Sequence, residues 1–465
     1  MTTPVPQVIR MYAAREQIYP RETSGRYVTW RWACVFLTQI VFYGLPWLTW
    51  NGRQALLFDL GARKFYIFGL VLWPQDFIYL AALLIVCAYL LFLVTAIAGR
   101  VWCGFACPQT VYTKIFLWIE TRIEGPRSAR MALDKQPASF AKTAKKVAKH
   151  LAWGAVALWT GFTFVSYFTP VKVLDQEVFR LALGPWELFW VLFYSIATYG
   201  NAGWMREQVC KYMCPYARFQ SAMFDHDTLI VTYDVARGEP RAPLNRKQLP
   251  AAAVRQGDCI DCTLCAQVCP VGIDIRKGLQ YECIGCAACV DACNGVMDKV
   301  ERPRGLVRFS TDNALANGST PAQIRQRALR PRVRIYCAIL LLIVGAVAAS
   351  LYLRVPLKMD VIRDRGAMGR EVEDGAIENV YRLQIMNTSE TAHRYRIGVS
   401  GVPSLSLSTA DEVSVGALQT FALPVRLRLA HGAGHSGSNK IRIELQALDD
   451  ERLHVTEKAV FIVPR

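Results

Sequence analysis

The chain is 465 residues long and 53% hydrophobic, with 54 Lys and Arg against 37 Asp and Glu, a formal net charge of +17. So apolar and basic a chain of two- or three-domain length is either a nucleic-acid binder or a membrane protein with basic loops, and clustering of the apolar residues into long runs excludes the first. Fifteen cysteines would suit a disulfide-stapled secreted scaffold, but eight of them fall within 35 residues at metal-ligand spacing, which points to a cofactor instead.

Residues 1–31 form a polar N-terminal tail with Arg10, Arg15, Arg21, Arg26 and Arg31. No small-residue cleavage site closely follows the first apolar run, so that run is expected to remain as an anchor. Five apolar segments have the length expected of membrane spans, Trp32–Trp50, Phe77–Ala98, Leu151–Thr169, Glu187–Trp204 and Ile335–Leu353. Residues 32–204 thus hold spans one to four, and 335–353 hold the fifth. The stretch Phe65–Trp73 is too short to cross and is expected to lie in the interface. Trp and Tyr, 12 and 19 in number, fit interfacial aromatic belts.

Loop charge sets the orientation. Residues 99–150 carry ten Lys or Arg against three acids, whereas the loop between spans three and four carries two against two. The positive-inside rule places the N-terminus, loop 99–150 and loop 205–334 in the cytoplasm, and an odd number of spans places the C-terminal region outside. That arrangement also keeps the cysteine-rich loop in a reducing compartment.

Residues 259–270 read CIDCTLCAQVCP and residues 283–294 read CIGCAACVDACN. Each run is C-x2-C-x2-C-x3-C, the bacterial ferredoxin spacing in which three cysteines hold one 4Fe–4S cluster and the fourth crosses to the other. Within an insert spanning 255–300, Cys259, Cys262, Cys265 and Cys293 are assigned to the first cluster. Cys283, Cys286, Cys289 and Cys269 are assigned to the second. Gly285, Ala287 and Ala288 leave room for the inorganic core; Pro270 closes the first run, and Asn294 stands where a second proline would. Zinc sites use two pairs across a longer loop rather than two complete runs, so iron–sulfur is the reading.

Cys103-Gly-Phe-Ala-Cys107-Pro108 and Cys210-Lys-Tyr-Met-Cys214-Pro215 share the form C-x3-C-P, each just past an even-numbered span. If helical, each pair shares one face; the following proline makes a turn equally open. Matching thiol pairs beside a ferredoxin insert mark a redox or metal site, and soft thiolates favour Cu(I). Quinone or disulfide chemistry stays open. Cys34, Cys87 and Cys337, in or beside apolar spans, read as packing, and Met359 and Met368 as ordinary surface methionines. Neither haem nor a resident nicotinamide domain has a motif here.

The last segment, 356–465, alternates polar and apolar residues in short runs such as Tyr381–Met386, His393–Val399 and Lys440–Leu445. It reads as an antiparallel all-β sandwich without a disulfide, in the role of a docking or structural module.

Together WCGFACPQTVY, VCKYMCPYARFQ, the doubled cysteine run and KFYIFGLVLWPQDF resemble the cytochrome c oxidase accessory proteins of the FixG/RdxA/CcoG type, over nearly the whole chain. The resemblance implies a multi-domain bacterial inner-membrane protein, multi-pass, with a helical bundle of about five spans. It further implies a cytoplasmic double-4Fe–4S insert and a periplasmic immunoglobulin-like domain. The implied activity is that of an oxidoreductase, a cupric reductase serving assembly of a cbb-type oxidase, with copper at Cys103, Cys107, Cys210 and Cys214 as the catalytic site. The partners implied are a cytoplasmic electron donor, a copper chaperone or copper-exporting ATPase, oxidase assembly factors and membrane lipid, but no nucleic acid; homo-oligomer formation stays open. The alternatives are a relay to or from quinones and a non-enzymatic assembly scaffold.

Overall fold

The computed structural model describes residues 17–243, 257–364, 369–372 and 375–464. The chain divides into two compact units, Met1–Leu57 with Ala81–Ile343, and Phe58–Leu80 with Val344–Arg465.

Among the described residues three helices are long and apolar enough to cross a membrane, Arg26–Trp47, Pro74–Ala98 and Pro331–Tyr352. They correspond to the expected first, second and fifth spans. The five-span expectation is corrected at the other two. After α1 (Arg26–Gly44), α2 (Phe77–Ala98), α3 (Val101–Phe105), α4 (Pro108–Glu124) and α5 (Arg127–Lys135), α6 runs Phe140–Val165. Its first half carries Lys142, Lys145, Lys146 and Lys149, which leaves an apolar stretch only from Leu151 onward. Following α7 (Val171–Phe179), α8 (Pro185–Thr198) has 14 residues, about 21 Å at 1.5 Å per residue, short of a hydrocarbon core of about 30 Å. The chain then passes into a π-helical turn, Tyr199–Met205.

α6 and α8 pack closely because Gly161 lets them. A Cβ there would lie 2.3 Å from both the Ser195 hydroxyl and the Val191 carbonyl. Below this crossing the basic loop folds rather than trailing in solvent. Buried Glu120 accepts from Arg206 at 2.7 Å, and buried Glu124 pairs with Lys149 at 2.8 Å and Lys146 at 3.0 Å. Trp153 stacks on Phe116 at 5.3 Å and donates its indole N–H to the Phe116 carbonyl. The cations that set the charge bias are thus also the partners of buried acids, since an unpaired carboxylate could not stay there.

The ferredoxin segment is braced by an antiparallel pair, Ile230–Tyr233 against Val307–Ser310. Its core gathers Val231, Tyr233, Ile275, Val290, Met297 and Leu306 around Cys259 and Cys265.

In the second unit two antiparallel sheets face each other. One has the order Leu405–Leu407, Thr420–Leu429, Ile377–Asn387, Leu357–Arg363; the other Glu412–Val415, His393–Ser400, Gly437–Ala447, His454–Val463. Strand Gly437–Ala447 alternates buried and exposed residues along its length, the period-two signature of a sheet with one wet face. With no cysteine in the domain, hydrogen bonds tie the sheets: Tyr381 donates its hydroxyl to the Val460 carbonyl at 2.8 Å, and the Asn379 amide donates to the Ile462 carbonyl at 2.8 Å. Met359 is a core residue of this sandwich, not a surface one, while Met368 lies outside the described residues.

The stretch Phe65–Trp73, too short to cross, has a structure of its own. It forms a β-hairpin, Lys64–Ile67 with Leu70–Leu72, whose Val71 and Trp73 are buried with Met386. Buried Asp76 anchors it, accepting from Arg354 at 2.7 Å and pairing with Lys358.

Gly161→Val is expected to cost about 1–3 kcal/mol by overpacking the α6–α8 crossing, read as a lower unfolding temperature of the detergent-solubilised protein. An unchanged midpoint would show that the crossing can open without penalty. Tyr381→Phe should cost about 1 kcal/mol, because it leaves the Val460 carbonyl without its partner.

Candidate redox centre

The two cysteine runs fold alike. In the first, Asp261 and Thr263 take left-handed backbone conformations, φ 50° and 58°; in the second, Gly285 and Ala287 do so, φ 65° and 57°. The alternation turns successive cysteines inward, and each run then enters a helix, Leu264–Gln267 and Ala288–Lys299. Asn294, in the expected proline position, accepts the Gly305 N–H through its side-chain oxygen at 2.9 Å.

Two cavities result. One is lined by Cys259, Cys262, Cys265 and Cys293; the other by Cys269, Cys283, Cys286 and Cys289, with Cys265 on its wall. Each cavity therefore contains the four cysteines assigned to one cluster from the spacing, including the one that crosses over. Cys265, shared by both walls, makes the two cavities neighbours. The remaining lining is largely apolar, with Val231, Val271, Ile273, Ile275 and Ile284 around the second. Burial pushes the Cys265 and Cys269 thiols up to about 12, and Cys283 and Cys293 up to about 11. Free thiols there keep their protons, and only a cationic metal core converts them to ligands. Each cavity offers four sulfurs, the donor set a cubane requires.

The C-x3-C-P motifs also share a fold. Cys103 sits in short helix α3, and Cys107 is extended (φ −60°, ψ 129°) before Pro108 opens α4. Cys210 sits in a π-helical turn, Val209–Met213, and Cys214 is extended (φ −78°, ψ 108°) before Pro215 opens α9 (Pro215–Ala222). Proline keeps the preceding cysteine out of the helical region and suits the first helical position, so the turn, not the shared helical face, is the geometry. The four thiols come together: the charge of Cys210 is felt with those of Cys107, Cys103 and Cys214. Burial pushes Cys210 up to about 12 and Cys103 up to about 11. Among the described residues no three His, Cys, Asp or Glu side chains are arranged to hold one metal ion.

The quartet adjoins the second cavity. Cys103 and Cys210 share one apolar cluster with Cys269, Cys283, Cys286 and Cys289. Gly104 is the contact point; a Cβ there would lie 2.7 Å from the Ile284 carbonyl and 2.8 Å from the Cys286 Cα. Cys34, Cys87 and Cys337 are away from both cavities, Cys87 exposed on α2.

The spacing of cysteines gave no sign of the polar residues that serve this junction. Arg100, Gln220, Thr95 and Tyr216 form a chain of hydrogen bonds behind Cys103. One signal was available: an arginine three residues before Cys103, at the end of an apolar run.

A family model for the 4Fe–4S dicluster domain matches residues 205–312, one for a 4Fe–4S binding domain matches 80–126, and one for the IG-like fold at the C-terminal of FixG matches 347–464. The chain is 38% identical over 435 residues to the nitrogen fixation protein FixG of Rhizobium meliloti, covering 87% of this chain and 83% of that one. It is 37% identical to the proteins RdxA and RdxB of Cereibacter sphaeroides, covering 91% and 96% of this chain and 91% and 95% of theirs. A crystal structure of a FixG-related protein from Vibrio parahaemolyticus aligns at 25% identity, covering 23% of this chain and 95% of that one, with a TM-score of 0.21.

Gly104→Val is expected to displace the loop at Ile284–Cys286 and lower iron at the second cavity while sparing the first. Iron per chain, with the electron paramagnetic resonance of the reduced protein, checks this. Full iron and an unaltered spectrum would show that the close approach is dispensable.

Proposed function

This chain belongs to the family of FixG, RdxA and RdxB, and on that premise we propose that it is a membrane iron–sulfur oxidoreductase that reduces Cu(II) to Cu(I). The observation that carries the reading is adjacency: two cluster cavities share a wall, and a quartet of soft thiols packs against the second. The clusters supply one-electron storage and transfer. Cys262 is exposed, whereas Cys103 is buried, so the first cavity faces solvent and the second faces the quartet. A cytoplasmic reductant delivers electrons on the exposed side, and the quartet is the terminal site.

Cu(II) is the substrate, and it gains one electron to leave as Cu(I). Thiolates bind Cu(I) in preference to Cu(II), which draws the couple toward the reduced ion. The recipient is a copper chaperone or copper-exporting ATPase, on a route to a cbb-type oxidase.

The three long apolar helices support a multi-pass inner-membrane protein. On this reading the N-terminus and the ferredoxin segment are cytoplasmic and the C-terminal sandwich is periplasmic, which an odd number of crossings supports. The helical pair α6 and α8 does not alter this, because a hairpin returns the chain to the side it left. The charge bias of residues 99–150 supports the same direction.

Cys103→Ser and Cys214→Ser are expected to lower Cu(II) reduction at least tenfold in purified protein while leaving iron unchanged. Undiminished activity would remove copper from the quartet. Metal analysis of anaerobically purified protein, supplied with Cu(I), is expected to give eight iron atoms per chain, four for each of two clusters, together with copper. About twelve iron atoms would instead give the quartet to a further cluster, the reading favoured by the 4Fe–4S match over residues 80–126.

A further inference from the structure

Arg100 lies between the end of α2 and the start of α3, and only 5% of it is exposed. Its Nε donates to the Gln220 side-chain oxygen at 3.2 Å, and its Nη1 donates to the carbonyl of Tyr281, two residues before Cys283. The same Gln220 oxygen accepts from the Cys103 thiol at 3.2 Å. Gln220 is fully buried and its NH2 donates to Thr95 Oγ1 at 3.1 Å, while Thr95 and the Tyr216 hydroxyl are 2.9 Å apart. The amide orientation is therefore determined, with its oxygen toward two donors and its nitrogen toward an acceptor. On the other face, Gly285 meets the Arg100 backbone, where a Cβ would be 3.2 Å from the carbonyl carbon.

All these partners of the guanidinium are neutral, and among the described residues no carboxylate forms an ion pair with it. Burying a cation without an anion is costly, and a buried arginine is ordinarily matched by one. The anions available here are the thiolates of the redox centre. The charge of Arg100 reaches Cys103, Cys107 and Cys210 on one side and Cys283 on the other.

We propose that Arg100 is the positioning residue that joins the second cluster to the C-x3-C-P quartet and makes that cluster the stronger electron acceptor of the two. A reduced cluster carries one more negative charge than the oxidised one. A fixed cation beside it in a dry setting stabilises the reduced form and raises its reduction potential. The first cavity is lined instead by Arg276, whose charge is neutralised by Asp274 at 2.7 Å and by Asp261. An unpaired cation at one cluster and a paired one at the other give the electron a downhill direction toward the quartet.

The proposal rests on the placing of clusters in the two cavities, which iron per chain tests by itself. It does not rest on copper, which is left out of the measurement. Redox titrations of the full-length protein in detergent, followed by electron paramagnetic resonance, should resolve two couples. Arg100→Gln is expected to lower one of them by about tenfold in its equilibrium, about 59 mV for one electron, and to leave the other in place. Arg100→Lys, which keeps the charge, should stay near the parent value. Gln220→Glu retains the shape and sets a carboxylate against Arg100, which holds it ionised; this variant should lower the same couple and decides the matter if Arg100→Gln loses iron. Full iron with unshifted couples, or equal shifts of both, would overturn the proposal.

Discussion

The larger unit depends on the approach of Gly104 to the backbone of Ile284 and Cys286, where no side-chain atom fits. A cysteine pair at the end of an apolar helix is made to touch a loop more than 180 residues further along. Around that contact, Pro108 and Pro215 each hold the preceding cysteine extended, so both motifs leave the helix at their second cysteine. Gly285 on the opposing loop must also lack a side chain, because Arg100 lies against it. Four glycine-permitted or proline-imposed backbone choices thus set how near the two sulfur sites come. Packing and the Arg100 hydrogen bonds to Gln220 and Tyr281 hold their separation, and packing at this density is sensitive to single methyl groups.

The sequence was most legible where the chemistry is local. The eight cluster cysteines lie in two short runs whose spacing is dictated by the size of the cubane, and both cavities contain the assigned sets. Alternation over Tyr381–Met386 and Lys440–Leu445 likewise located strands, because a pleated sheet with one wet face leaves a period of two. Spans were less legible. Hydropathy read Glu187–Trp204 as one crossing, whereas Gly200 and Asn201 lie in a π-helical turn that ends α8 early. The hairpin Lys64–Ile67 with Leu70–Leu72 is not legible from its own stretch, because the partner of its buried Val71 and Trp73 is Met386, far along the chain. Arg100 was hidden in a count of basic residues. Its meaning comes from burial and from partners at positions 220 and 281, and no pattern within a window reveals those.

The second unit shows how a discontinuous stretch is recruited. Asp76 is buried, and its two cations, Arg354 and Lys358, come from the segment that leads into the sandwich. The ion pair sits just before α2 begins and just after the last apolar helix ends, so it joins the ends of two membrane-length helices within one unit. A buried pair of this kind contributes little net stability, since desolvation offsets the attraction, but separating it strands a charge. Its effect is to specify which segments belong together. The sandwich itself reaches the same end without a disulfide, through the Tyr381 and Asn379 bonds between its sheets.

Dryness links the chemistry of the centre to its direction. The wall of the second cavity is valine, isoleucine and alanine, and burial pushes the Cys265 and Cys269 thiols up, so that they stay protonated unless metal takes the proton's place. In such a setting a change of charge on a cluster is not relieved by water, so it is felt at full strength by whatever fixed charges are near. Arg276, at the first cavity, is spent on Asp274 and Asp261, while among the described residues Arg100, beside the second, donates to the neutral Gln220 side chain and Tyr281 carbonyl. Cubanes held by the same cysteine spacing would otherwise have similar potentials, and an electron would have no reason to move from one to the other. The difference between a paired Arg276 and an Arg100 bound to neutral groups supplies that reason, and it points from the exposed Cys262 toward the buried Cys103.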